Sequence, residues 1–374
     1  PVVFDTITAK SIRSAAMNTK GGSGPSGQDA DSWRQILASQ RFGVCSEELR
    51  TELALASKQM CKEKVEIDHT EGESPTSSLE AFLACRLIPL DKNPGLRPIG
   101  VGEVLRRIVG KVVMKVFRPD IQKAAGSLQV CAGQSGGCEA AVHAMRDIFE
   151  EDDCDAVLLV DAANAFNSIN RGAMLENILR LCPIAYIYAY NCYAPHARLF
   201  VVGGRELRSK EGTTQGDPVS MGFYGLGLIP LLSKIKDDDV SQQSKHVAYA
   251  DDLTGGGRLR ALKRWFDNVV KCGPPFGYHA EPSKSWLVVK ESLYDDAVEI
   301  FKDTSVNITK RGKKHLGAAI GQMDFSKKFV DGLVKDWVAE IEALASVASF
   351  EPQAAYSAFT TCIRHRYTYF MRTI

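Results

Sequence analysis

The stretch SKHVAYADDLTGGG, Ser244 to Gly257, decides the fold. His246 to Tyr249 alternate and include a β-branched and an aromatic residue, which suits a strand. Leu253 and Thr254 begin a return and three glycines follow, so the stretch reads as a hairpin with Asp251 and Asp252 at its tight turn. Two adjacent carboxylates on a turn repel each other and lose solvation when buried, unless a cation binds there. Taken alone, an Asp-Asp pair is what a solvated surface turn commonly carries. A second acid-bearing strand changes that balance.

The second strand lies in AVLLVDAANAF, Ala156 to Phe166. Val157 to Val160 form a continuous apolar run, as a buried central strand does, and the run ends in a single carboxylate, Asp161. An ionised acid at the end of a buried strand needs a partner. If the two strands lie side by side, Asp161 and Asp251 meet at one end of a sheet. Oxygen ligands of this kind suit Mg²⁺, which takes carboxylates together with substrate phosphate oxygens. Two such ions ~3.5–4 Å apart activate an attacking hydroxyl and stabilise a leaving pyrophosphate.

YADD at Tyr249 to Asp252, VDAANAF at Val160 to Phe166 and TQGDP at Thr214 to Pro218 together resemble three palm motifs of a reverse transcriptase, in that family's order and closest in style to non-LTR retrotransposons. The joint match is far more specific than any of its parts. The resemblance implies an α/β right-hand polymerase fold. Residues 1–130 would be fingers with an N-terminal extension. Residues 131–325 would be a palm of antiparallel sheet plus helices, with a primer-grip-like hairpin near 315–321, and residues 326–374 a partial helical thumb. It implies an RNA-directed DNA polymerase that extends a primer 3′-hydroxyl with dNTPs on an RNA template. The primer would be DNA or RNA. Asp161, Asp251 and Asp252 would bind two Mg²⁺, with Mn²⁺ an alternative.

Further roles follow from the same resemblance. IPLDKNPGLRPI, Ile88 to Ile99, resembles the family's nucleotide-gripping hairpin, with Lys92 and Arg97 on the triphosphate, a task suited to a point charge and a planar fork. Phe166 would lie under the sugar of the incoming nucleotide and leave no room for a 2′-hydroxyl. Gln215 and Gly216 would border the forming base pair; here Pro218 precedes Val219-Ser220, a departure from the S-P that often follows Q-G. Lys284 matches a lysine that donates a proton to departing pyrophosphate, although a surface lysine is the plainer reading. HLGAAIG, His315 to Gly321, resembles the hairpin that grips the primer terminus, with Lys313 and Lys314 beside it able to touch phosphates.

The remaining segments read from their own patterns. GGSGPSG, Gly21 to Gly27, has a linker's composition or that of a Gly-rich fingers loop, after which Asp29 or Asp31 caps a helix starting near Ser32. Residues 46–64 have helical spacing and 66–78 read as an exposed loop. The helix Glu103 to Phe117 buries Leu105, Ile108, Val109, Val112 and Val116. Its Arg106, Arg107, Lys111 and Lys115 form a basic stripe of the kind that meets a phosphate backbone. From Lys327 onward two helices carry Trp337, Ile341, Tyr356, Phe359, Tyr367 and Phe370.

Composition sets bounds. The 374 residues are 45% hydrophobic, enough for a large core in two or three subdomains. A net charge of only +1 argues mildly against a nucleic-acid binder and leaves the task to local patches. Ten cysteines without C-x-x-C pairs read as reduced thiols of an intracellular, cytoplasmic or nuclear protein rather than a zinc site. No membrane-length apolar run or signal peptide is apparent. A start at Pro1 reads as a fragment or processed product. Two other functions share these motifs: a domesticated, non-catalytic RNA-binding module on the same fold, and an RNA-dependent RNA polymerase, which Phe166 disfavours.

Overall fold

The structure is a computed structural model that describes residues 2–41, 43–65, 78–91, 95–201, 203–238 and 244–374. Its strands are β1 (Cys85–Asp91), β2 (Leu96–Gly102), β3 (Ala156–Val160), β4 (Ala197–Val201), β5 (Glu206–Ser209), β6 (Ser244–Tyr249), β7 (Asp252–Gly257), β8 (Trp286–Val289), β9 (Asn307–Thr309), β10 (Gly312–His315) and β11 (Ala318–Gly321). With the helices between them they give the α/β class expected, built on mostly antiparallel sheets. The chain packs as two units: one holds residues 1–134, 163–233 and 272–279, the other 135–162, 234–271 and 280–374. Among the described residues no helix is long and apolar enough to cross a membrane.

The first unit carries a four-stranded sheet in the order β2-β1-β4-β5. β1 pairs antiparallel with β2 across the hairpin and parallel with β4. The turn residues Asn93 and Pro94, and residues 66–77 of the loop expected over 66–78, lie outside the described residues; Ser78 begins the helix Ser78–Leu83. The central helix runs Val104–Ala125, longer than its expected end at Phe117. It buries Val104, Ile108, Val109, Val112, Val113, Phe117 and Ile121, while Leu105 and Val116 are half-buried. The core face is therefore rotated from the expected stripe towards Val113 and Phe117, whose ring meets Phe4 and Tyr188 edge-on at 6.3 and 6.2 Å. Asp29 caps the helix Ala30–Ala38, its carboxylate accepting the Ser32 N–H at 2.8 Å.

The second unit carries the sheet β6-β7-β3-β8-β9, antiparallel except for β8 beside β9. Its middle strand is the apolar run Ala156–Val160, buried save for a half-buried Leu159. The three glycines belong to β7 itself. A Cβ on Gly255 would stand 3.0 Å from the Trp265 ring, and one on Gly256 2.6 Å from Ile148 Cγ2. Neighbouring strand residues face opposite sides, so bare backbone lets the helices Leu259–Cys272 and Gly137–Glu150 come close on the two faces.

The hairpin β10–β11 starts at Gly312, three residues before the stretch singled out in the sequence. Its turn, Leu316-Gly317, has positive φ at both residues, 46° and 83°. His315 is buried and shares a hydrogen bond with Thr254 Oγ1 at 3.4 Å. After the hairpin come the helices Met323–Ala348, Pro352–Ala358 and Arg364–Thr373. Trp337 packs edge-on against Tyr367 and Phe370 at 5.0 and 5.2 Å. The last helix is tied down where His143 Nε2 meets the Arg372 carbonyl at 2.6 Å and Arg146 donates to the Thr373 carbonyl.

Burial, and secondarily the charge of Arg146, lowers the His315 pKa from 6.5 to about 4. The folded chain then holds a neutral ring that the unfolded chain protonates near pH 6.5. Stability from this group is intact above 6.5 and lost as pH falls towards 4. The unfolding free energy of wild type minus that of His315→Gln should shrink by up to about 3 kcal/mol between pH 7 and pH 4. Denaturant titrations at both pH values check this, and a constant difference would contradict it.

Candidate active site

In the second unit the expected meeting of acids is built by strand register. β3 pairs with β7 so that Val160 faces Leu253, which sets Asp161, the next residue on, towards Asp252. β6 pairs with β7 as far as Tyr249 opposite Asp252, leaving a two-residue turn, Ala250-Asp251. Ala250 is buried with φ 55°. Positive φ at the first turn position is a type II′ feature usually served by glycine, so the backbone here is strained. Asp161, Asp251 and Asp252 thus stand at one end of the sheet.

Their mutual influence appears in Asp252. Its pKa rises from 3.8 to about 6, first through loss of solvation, then through the charges of Asp251 and Asp161. The residue as a whole is nonetheless exposed. Atoms crowd the carboxyl without sealing it from water, so the upward direction follows from both crowding and repulsion. Concentrated negative charge on oxygen donors suits a hard divalent cation. Among the described residues no group of three or more His, Cys, Asp or Glu is arranged to hold a metal by itself. That is compatible with Mg²⁺, which is held through one or two carboxylates and completed by phosphate oxygens and water.

Asp161 is exposed, but its backbone is fixed: its N–H donates to Ser285 Oγ at 3.2 Å and its carbonyl accepts the Glu281 N–H at 2.8 Å. Lys284 ends the short turn Pro282–Lys284 and is exposed. Lys313 Nζ lies over the Trp286 ring, 3.6 Å from its centroid, and Lys314 is exposed. Ser285 was not singled out from the sequence; a serine before an apolar strand gives no signal by itself.

In the first unit, Phe166 stacks on Tyr224 with centroids 4.5 Å apart. Its carbonyl accepts the Thr213 N–H at 2.6 Å, which brings the segment after Asp161 beside the loop bearing TQGDP. Gln215 and Gly216 line a cavity of about 250 Å³ with Ile99, Val101 and Arg107. Gly216 has φ 85°. Arg97 is exposed on β2, and Lys92 lies outside the described residues.

The basic stripe divides. Arg106 is fully buried, paired with Asp217 at 2.7 Å and donating to the Leu83 carbonyl at 3.2 Å. Tyr193 donates to the same Asp217 carboxylate at 3.1 Å. A phosphate backbone therefore cannot reach Arg106; the residue lies on the core side of the helix because Asp217 offers a buried counter-charge. Arg107 donates to the carbonyls of Lys20 and Gly22, and Lys111 to that of Asn18. These two cations hold the chain entering the Gly-rich segment. Ser26 and Glu103 fix that segment further through bonds of 2.7 Å, and a Cβ on Gly24 would stand 2.8 Å from the Glu103 nitrogen. The segment is thus a packed loop rather than a linker. Only Lys115 of the four is exposed.

No family model matches the chain, and no curated protein matches it. Among solved structures it is similar to apo telomerase from Candida tropicalis, with 12% identity over 69% of this chain and 49% of that one, TM-score 0.49. It is similar to telomerase from Candida albicans in complex with the TWJ fragment of telomeric RNA, with 11% identity over 67% and 46%, TM-score 0.48. A Candida tropicalis apo telomerase truncated from its C-terminal domain matches at 14% identity over 56% and 51%, TM-score 0.44. The chain spans about half the length of each. The similarity is confined to fold, and nothing of activity is carried over with it.

If Arg107 serves the loop, Arg107→Ala should lower the unfolding free energy by about 1.5–3 kcal/mol, as for a hydrogen bond from a charged group. Lys115→Ala should stay within about 0.5 kcal/mol of wild type. Denaturant unfolding checks both; an Arg107→Ala protein of unchanged stability would return that residue to the solvent face.

Proposed function

We propose that this chain is an RNA-directed DNA polymerase of the reverse-transcriptase type, closest in style to non-LTR retrotransposon enzymes. It extends a DNA or RNA primer on an RNA template with dNTPs. The observation that carries the proposal is the register that sets Asp161 at the end of β3 beside the Asp251-Asp252 turn, with Asp252 responding to both charges. Fingers over 1–130, palm over 131–325 and partial thumb over 326–374 are the functional division that goes with it.

In this reading Asp161 and Asp251 hold two Mg²⁺, or Mn²⁺ in their place, with Asp252 in support. Bound there, the ions would lower the pKa of the primer 3′-hydroxyl and stabilise charge on the departing pyrophosphate. The strained Ala250 turn and the fixed Asp161 backbone keep these carboxylates in place before substrate arrives, which is where preorganised electrostatics has its effect. Lys284 delivers a proton to the pyrophosphate oxygen. Lys92 and Arg97 orient the triphosphate. Phe166, braced by Tyr224, bars the 2′-hydroxyl, and Gln215 with Gly216 border the new base pair. Lys115, Lys313 and Lys314 remain for phosphate contact, with Lys313 anchored on Trp286.

The test is primer extension on RNA and DNA templates, comparing dNTPs with NTPs in the presence of Mg²⁺. Wild type should incorporate dNTPs in preference to NTPs. Asp251→Asn should extend at least about a hundredfold more slowly, at unchanged template binding, since each tenfold is only ~1.4 kcal/mol of barrier. Full synthesis by Asp251→Asn would refute the carboxylate assignment. RNA binding without any extension by wild type would select the non-catalytic RNA-binding module, and preference for NTPs the RNA polymerase.

A further inference from the structure

We infer that Ser285 is a positioning residue for Asp161, a buried hydroxyl that locks the end of β3 to the turn bearing Lys284. The geometry stands by itself; its catalytic consequence rests on the polymerase reading above.

The need for such a group follows from the sheet. On its β7 side β3 is paired through Val160, but on its β8 side the ladder ends one residue earlier, at Leu159 opposite Trp286. Beyond that point the backbone of Asp161 has lost its strand partner on the β8 side, because the chain before Trp286 folds into the turn Pro282–Lys284. A backbone N–H left without an acceptor there would weaken the strand end. Ser285 supplies the acceptor from a side chain.

The serine hydroxyl uses both of its capacities. It accepts the Asp161 N–H at 3.2 Å and donates to the Glu281 carbonyl at 2.9 Å. Glu281 returns a bond, its N–H donating to the Asp161 carbonyl at 2.8 Å, and Ala162 bridges antiparallel to Ala280. Ser285 has no exposed surface. The Lys284 N–H donates to the same Glu281 carbonyl at 3.1 Å. The Glu281 carbonyl therefore takes both the hydroxyl that holds the Asp161 backbone and, by a separate bond, the Lys284 N–H. The Asp161 carboxylate is aimed by its backbone, which leaves its oxygens for a ligand. Groups that orient a ligating side chain from behind commonly change metal affinity or activity ten- to a hundredfold when removed.

The test uses the full chain with Ser285→Ala, Ser285→Thr and, should Ser285→Ala fail to fold, Ser285→Cys, which keeps the volume but accepts poorly. Three readouts are taken: amide hydrogen exchange at Asp161 and Ala162, Mn²⁺ affinity by electron paramagnetic resonance without nucleotide, and steady-state primer extension. Loss of the hydroxyl should speed exchange at Asp161 about tenfold, weaken Mn²⁺ binding about tenfold and lower kcat about tenfold, with KM for dNTP within about twofold; Ser285→Thr should recover most of each. Unchanged exchange and unchanged Mn²⁺ affinity in Ser285→Ala would overturn the inference even if extension fell. A wild type that extends no primer would remove the polymerase reading, while exchange at Asp161 would still decide whether Ser285 holds it.

Discussion

The pairing of β3 with β7 is the constraint on which the candidate site depends. A buried apolar strand must satisfy its backbone on both sides, and β7 does so only in a register that ends with Val160 facing Leu253. Slipping that register by one residue would turn every side chain of β7 to the other face. The close packing over β7 reinforces it: only glycine fits at 255 under the Trp265 ring and at 256 under Ile148, so a slipped register would bring a side chain into contact there. Packing deep in the sheet thereby fixes the position of charges at its rim.

That position is costly. Repulsion and crowding raise the Asp252 pKa, and a non-glycine residue holds positive φ in the turn. Proteins keep such features where the surrounding structure overdetermines them, commonly at functional sites. The first unit has a corresponding buried charge, the Arg106–Asp217 pair with Tyr193, which holds the TQGDP loop against the helix Val104–Ala125. Gly110 permits the approach, since a Cβ there would lie 3.2 Å from Pro218. Breaking one partner of such a pair leaves an uncompensated charge, typically a loss of ~3–5 kcal/mol. Its contribution is therefore the fixed loop that presents Gln215 and Gly216.

Much of this was legible in the sequence, for identifiable reasons. The run Val157 to Val160 and the acid after it define a central strand end, and Tyr249 to Leu253 define a hairpin, because apolar continuity and turn chemistry are local signals. The basic stripe was legible as spacing but not as surface. Periodicity places Arg106, Arg107 and Lys111 on a helix; it does not reveal that Asp217 waits in the core or that carbonyls of residues 18–22 need donors. The glycines after Thr254 read as the tail of a turn, since nothing local announces a tryptophan eleven residues on. Ser285 was silent because its partners, Asp161 and Glu281, meet only in the folded sheet.

The central claim is that Asp161 and the Asp251-Asp252 turn share one electrostatic site. Carbon-13 NMR titration of the Asp252 carboxyl, in wild type and in Asp161→Asn, tests it most directly. Wild type should titrate near 6, and removal of the Asp161 charge should move the midpoint downward. A carboxyl that titrates as an ordinary aspartate and ignores the substitution would contradict the account.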